Sequence, residues 1–412
     1  VIVKETNFFL KNYSIDYEKI INYFIVLYAF VFPFSRAGVT LSSVFIILFF
    51  LLQGDFKNKF KEIISNKFII ILFLFLFLSI LSIFWSTDKA FAFTYLKKYW
   101  YFLTVPIIFI SLKKEYINKV LVAFLLGMMI TLVFFYGILL DTFSYEGNNP
   151  GSTSVFMNRI DYSIHIVLAI FISMYKVIYS ESLKWKLFYI FSSSIFIITL
   201  FLNGGRTGYF AFFIVLIILA LNNFKYKLMS FFISTGIIIS IFFLAYNLSP
   251  MFKERMNYLE YDIKRMIIDK KFDSSFSMRV KMWELGIKSS FQEPLLGNGI
   301  GDEIVHVRDE VEQSSINQFV TNNTNFINYH NMFVHHLSQL GLVGLVLTIL
   351  LFYYLYKLDF KEKIYKNLNI VFVSICILLF LQGILAVPAS KIFFGFFASI
   401  FLAIARIESK EI

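Results

Sequence analysis

The chain has 412 residues, of which 58% are hydrophobic, 54 are Phe and only 16% are charged. So little polar surface excludes a string of soluble domains and points to a polytopic membrane protein. The net charge of +11 could signal a nucleic-acid partner, but the lysines sit in short connectors between apolar runs, where the positive-inside bias puts them, so no such partner is expected.

Long apolar runs with few Gly and Pro fit helical spans of about 20 residues rather than barrel strands, so the expected fold is all-α. The polar start, 1–19, has no small-residue cleavage pattern, and the first span is expected to act as its own insertion signal. About twelve spans follow, with cores at 20–34, 39–52, 68–84, 100–110, 120–140, 160–178, 187–202, 209–221, 228–246, 332–356, 370–385 and 393–405. The fourth is short and carries Pro106, so a kinked or partly interfacial segment is expected there, which leaves eleven spans as the other count. Lys57, Lys59, Lys61, Lys67, Lys113, Lys114, Lys119, Lys184, Lys186, Lys225, Lys227, Lys357, Lys361, Lys363 and Lys366 fall in alternate connectors. The intervening ones are poorer in base apart from Lys89, Lys97 and Lys98, which places both termini in the cytoplasm.

The chain thus divides into spans one to nine (1–246), a polar loop (247–329) between the ninth and tenth spans, and spans ten to twelve (330–412). The loop is expected outside the inner membrane, and its length marks it as functional or disordered. It reads as mainly helical. Residues 252–269 are amphipathic, fit either to lie on the membrane surface or to pack on the spans beneath. Residues 278–291 form a second helical stretch, closed by Pro294 and a Gly-rich turn. Cys376 is the single cysteine, so no intramolecular disulfide forms.

Candidate chemistry gathers at the loop and its borders. Arg206 follows Asn203-Gly204-Gly205 at the end of the seventh span, where a half-buried guanidinium needs an anionic partner, a function, or a snorkelling path to headgroups. The neighbouring glycines would let a bulky anion approach the backbone, and Arg binds phosphate oxygens in a bidentate fork. Arg279 lies one turn before Trp283 on one helix face, which suits either a site or a solvated helix with its Trp packed down. The turn from Pro294 through Gly297, Gly299 and Gly301 could present N–H groups to an anion, although alone it is a weak signal.

His330-Asn331 stands where the chain re-enters the membrane, and a His there could take a proton from a hydroxyl or be merely structural. His335 and His336 do not share its helix face, and no HExxH pattern is present, so no metal site is expected. Gly341 and Gly344 suggest close helix packing. Asp302 and Glu303 lie in the loop, while Asp309, Glu310 and Glu312 read as solvated surface. Without a nucleotide-sugar or Walker motif, a membrane enzyme of this kind points to a lipid-carried, pre-activated donor.

Gly205-Arg206-Thr207-Gly208, Arg279-Val280-Lys281-Met282-Trp283 with the Pro294–Gly299 turn, and His330-Asn331 before Gly341 and Gly344 resemble, in this order, the O-antigen ligase family. That family lies within the wider O-antigen ligase/polymerase superfamily. Phe34-Ser35-Arg36-Ala37-Gly38 also suits it. The resemblance implies an inverting glycosyltransferase without metal or cofactor. It would move polysaccharide from undecaprenyl diphosphate to a lipid A-core hydroxyl among the lipids of the bacterial inner membrane, on the periplasmic face. It further implies that Arg206 and Arg279 hold the diphosphate, that His330 orients or deprotonates the acceptor, and that Arg36, Gly205, Trp283, Gly299 and Asn331 line the substrate site. An O-antigen polymerase and a protein O-oligosaccharyltransferase are the related readings. A polytopic lipid or glycan transporter is the reading from another class, but it would place charges at mid-membrane, whereas here they crowd one face.

Overall fold

The computed structural model describes residues 16–145, 155–274, 276–320, 324–380 and 388–410. Most of the polar start, the end of the run 370–385 and residues 411–412 lie outside these. The chain begins with α1 (Tyr17–Val31), α2 (Arg36–Gln53), α3 (Phe56–Ile63) and α4 (Lys67–Leu81). A broken segment follows, made of α5 (Lys89–Lys97), a 3-10 stretch (Lys98–Leu103) and α6 (Thr104–Ser111). Five long helices come next: α7 (Lys114–Leu139), α8 (Arg159–Tyr179), α9 (Leu183–Asn203), α10 (Arg206–Asn223) and α11 (Lys227–Leu248). The loop holds α12 (Pro250–Ile267), α13 (Ser277–Ser290), α14 (Arg308–Glu312) and a 3-10 turn (Ser315–Phe319). The chain then closes with α15 (Met332–Tyr356), α16 (Lys363–Phe380) and α17 (Pro388–Ser409).

Helix starts follow from local chemistry. Asp16, Ser35, Asn66, Asn158, Ser249 and Asn331 each accept a backbone N–H at the first turn of the helix they precede. Pro250 opens α12, where its missing N–H costs nothing. Ten described helices are long and apolar enough to cross a membrane. The first and fourth expected runs appear instead as α1, 15 residues long, and as the broken segment. Pro106 falls in the first turn of α6, just past the change from 3-10 to α-helix.

The broken segment nevertheless reaches from the loop to the opposite end of the bundle. The broken segment starts against the loop, where Ser86 Oγ donates to Ile300 O (2.9 Å) and Thr87 N to Asp302 Oδ2 (2.6 Å). It ends where Asn22 Nδ2 of α1 donates to Ser111 O (2.8 Å) and Arg406 of α17 donates to Ile110 O (2.6 Å). Glu18–Lys113 and Glu62–Lys410 ion pairs close that far end.

The bundle core is centred on α8, α16 and α17, with α7 beside them, while α11 stays largely on the outside. The loop builds a small core of its own from Met282, Leu285, Ile304, Val307, Val311, Ile316, Ile327, Tyr329 and Val334. Of the two readings of the amphipathic segment, packing on the spans holds for its start and its middle. Phe252 is fully buried among Phe201, Tyr209 and Phe242, and Asp262 is buried too, whereas Tyr258, Tyr261 and Ile267 remain exposed.

The loop also enters the bundle. Gly341 takes φ 63° and interrupts α15. The Pro294–Gly299 turn fills the gap: Asn298 N donates to Ser338 O (2.9 Å), Gly299 N to Gln339 O (3.0 Å), and Leu342 N to Pro294 O (2.8 Å). The break therefore leaves these backbone groups paired inside an apolar bundle, as a membrane segment requires. Gly341 does more here than allow two helices to pack closely: a Cβ on it would lie 2.3 Å from Leu295 C.

Candidate active site

The site is built at the loop end of the bundle, around the α9–α10 corner. Gly204 (φ 76°) ends α9 in the left-handed region, and Gly205 precedes α10. A Cβ on Gly205 would lie 2.8 Å from Arg159 O, and Asn203 Nδ2 donates to that same oxygen (2.9 Å). The first residues of α8 and α10, Arg159 and Arg206, are thereby brought side by side. Gly205 serves this close approach of two backbones. No side chain caps α10, so its dipole adds positive charge at the corner.

Helix α12 crosses these two N-termini, and its Asp262 reaches Arg206 at 3.6 Å, an ion pair longer than a hydrogen bond. Arg279, from the first turn of α13, is a close electrostatic neighbour of Arg206. Burial, and then the charge of Arg206, press the Arg279 guanidinium below its ordinary value. The two guanidiniums and the Asp262 carboxylate against Arg206 thus gather in one partly buried place. The positive charge of the arginines and of the α10 N-terminus is what an anion would be drawn to.

One turn further along α13, Trp283 Nε1 donates to Tyr329 O (2.9 Å), tying the arginine-bearing helix to the residue before His330. Tyr329 is buried and its hydroxyl donates to Glu303 O (2.5 Å). His330 itself is half-buried, with φ 50° and its N–H donating to Asn328 Oδ1 (2.9 Å). A left-handed non-glycine residue costs roughly 1–2 kcal/mol, a strain usually kept where a side chain must be aimed.

Several of the expected site residues have partners within the protein. Asn331 is buried and its Oδ1 accepts from Phe333 N (3.0 Å) and Val334 N (3.2 Å), so it caps α15. Gly299 donates its N–H to Gln339 O and packs against Ser86, so the turn spends its N–H groups on the break in α15 rather than on an anion. Trp283 acts on the position of the His330 segment through its indole N–H. Arg36, exposed at the start of α2, meets α8 through the charge of Asp161, which lies on the helix face opposite Arg159 and Ser163. With His165 and Phe156 it lines a separate cavity of about 210 Å³.

Two features escaped the sequence reading. The first is Arg159, which opens α8 as Arg206 opens α10; the parallel Asn158-Arg159 and Gly205-Arg206 starts were the available signal. The second is a buried polar cluster under the loop. Gln339 Nε2 donates to Glu303 Oε1, His335 Nε2 lies 3.6 Å from that oxygen, and Tyr95 Oη is 3.1 Å from His335 Nε2. Lys391 Nζ stands over the rings of Tyr95 and Tyr99, at 4.7 and 4.4 Å. These residues come from four distant parts of the chain, which no local pattern reveals.

No curated protein matches the chain significantly. Residues 191–349, which run from α9 into α15 and hold Arg206, Arg279, Trp283 and His330, match the family model described as O-Antigen ligase.

Proposed function

We propose that this membrane glycosyltransferase moves a polysaccharide from undecaprenyl diphosphate to a sugar hydroxyl of lipid A-core, on the periplasmic face of the bacterial inner membrane, without metal or cofactor. The observation that carries this reading is the meeting of Arg206, held by Asp262, with Arg279, which is joined through Trp283 and Tyr329 to His330. Arg206 and Arg279 grip the diphosphate in bidentate fashion. His330 takes the proton of the acceptor hydroxyl as its oxygen attacks the anomeric carbon. The bond from that carbon to the phosphate oxygen breaks on the opposite side, inverting the centre, and its electron pair leaves with the diphosphate. The arginines stabilise that growing charge, a contribution of about 3 kcal/mol for each well-placed donor.

The test uses the purified chain in detergent with undecaprenyl-diphosphate-linked glycan, with and without lipid A-core, read on a gel. Glycan appearing on lipid A-core is the expected outcome. A ladder of longer lipid-linked glycan without acceptor would replace ligase by polymerase, and no product in either case would remove transferase activity altogether.

A further inference from the structure

The arginine cluster is larger than the reading above uses. Arg159 and Arg255 border the same glycine corner, with Gly205 against Arg159 O and Gly204 against Arg255 Nε, and their like charges act on one another, with exposed Glu254 nearby. No hydrogen bond or ion pair joins either guanidinium to a described residue, and Arg255 Nε is buried without a partner. Leaving such groups unpaired is costly, so the arrangement is that of a site awaiting an anion. Gly204 contributes by having no side chain: a Cβ there would stand 3.4 Å from Arg255 Nε and 3.1 Å from Met251 Sδ.

Position along α12 separates this pair from the first. Arg255 and Asp262 lie two turns apart on one face, about 10 Å along the axis. Arg255 lies at Gly204, next to the Gly205 that packs on the start of α8, and Asp262 reaches Arg206 at the start of α10. The two stations are adjacent because Gly205 holds the helix starts together. Among the described residues, it is the Arg206 station that carries the link through Arg279, Trp283 and Tyr329 towards His330. A bond broken near His330 therefore places the sugar-bearing phosphate at Arg206 and Arg279. The next phosphate out, away from the base, falls to the other pair.

We propose that Arg159 and Arg255 form a second phosphate subsite, which receives the lipid-bearing phosphate of a lipid diphosphate and makes the site select diphosphate over monophosphate carriers. This rests on the reading of Arg206 and Arg279 as the first subsite. Two guanidiniums suit phosphate oxygens better than two ammonium groups would, because each offers a planar fork.

Titration calorimetry on the full chain in neutral detergent tests it, with inorganic pyrophosphate and inorganic phosphate as probes. The unaltered chain should bind pyrophosphate more tightly than phosphate. The double variant Arg159→Gln/Arg255→Gln should lose about ten- to a hundredfold in pyrophosphate affinity while its phosphate affinity holds. If that variant does not fold, Arg159→Lys/Arg255→Lys carries the test, with a smaller loss confined to pyrophosphate. Unchanged pyrophosphate affinity, or equal losses for both probes, overturns the second subsite and leaves the first standing. So does a loss seen only for nanodiscs containing phosphatidylglycerol, which would make the pair a headgroup site. Binding of neither probe by the unaltered chain overturns the first subsite, and the proposed function with it.

Discussion

His330 is aimed by the residues on either side of it. Tyr329 is buried and bonded to Trp283 and Glu303, Asn331 is buried as the cap of α15, and His330 between them is left in the left-handed region. Ala bears the same left-handed penalty as His, so His330→Ala should insert and fold as before while losing at least about a hundredfold in transfer rate. Near-normal transfer by that variant, measured against equal amounts of folded protein, would remove His330 as the base. Arg206 poses a different question, since its partner Asp262 sits at 3.6 Å and leaves most of the guanidinium available. Arg206→Lys keeps the charge and loses the fork, and its transfer rate is expected to stay close to that of Arg206→Ala. Full activity in the Lys variant would reduce the site to a point charge.

At the scale of elements, the loop is fastened to the bundle at the break in α15 and at Glu303. Gly341→Ala would set a Cβ 2.3 Å from Leu295 C at a backbone angle of φ 63°, so a loss of more than about 2 kcal/mol is expected. Thermal unfolding would measure it, and faster proteolysis of the loop should accompany it. Sequence pattern could place the glycines but not the break, because leucines flank Gly341 on both sides and the segment that fills the gap lies some forty residues earlier. Glu303 gives the joint a pH dependence. Burial first, with Asp302 adding to it, lifts its carboxyl well above the ordinary 4.5. The folded state then holds the proton more tightly than the unfolded state, so this group's stabilisation is complete below pH 4.5 and is lost as pH rises towards the folded value. Glu303→Gln removes that titration and can keep an amide partner for Gln339. Its melting temperature should therefore gain on the unaltered chain between about pH 5 and pH 8. A constant difference across that range would mean that Glu303 does not titrate as described.

On the scale of the whole molecule, hydropathy sufficed for the helical class and for ten long helices, because a bilayer imposes a length and an apolar surface that composition records directly. It was weaker where protein rather than lipid surrounds the chain. The Lys89–Ser111 segment is cut into three pieces, and the contacts that seat it, from Thr87–Asp302 to Asn22–Ser111, join residues distant in sequence. The candidate site shows the same division: Arg206, Arg279 and His330 stand in short motifs, whereas Arg159 and Arg255 come near them only through the packing of α8 against α10 and of α12 on the α9–α10 corner. Sidedness then depends on the two short segments. If α1 and Lys89–Ser111 both cross, the crossings number twelve and the lysine-rich connectors share the far end, which the positive-inside bias assigns to the cytoplasm. The lone thiol, Cys376, is buried, so a Cys376→Ala background is a clean one for labelling. Gln292→Cys, in the exposed turn after α13, should react with a membrane-impermeant maleimide in cells whose outer membrane alone is opened. Lys184→Cys, exposed at the start of α9, should react only after the inner membrane is broken. Three long helices, α9, α10 and α11, lie between these two positions, so labelling of both from the same side would mean that one of them does not cross, and labelling of Gln292→Cys only after the inner membrane is broken would place the arginine cluster on the cytoplasmic face, where the proposed lipid-linked donor and its acceptor could not meet as described.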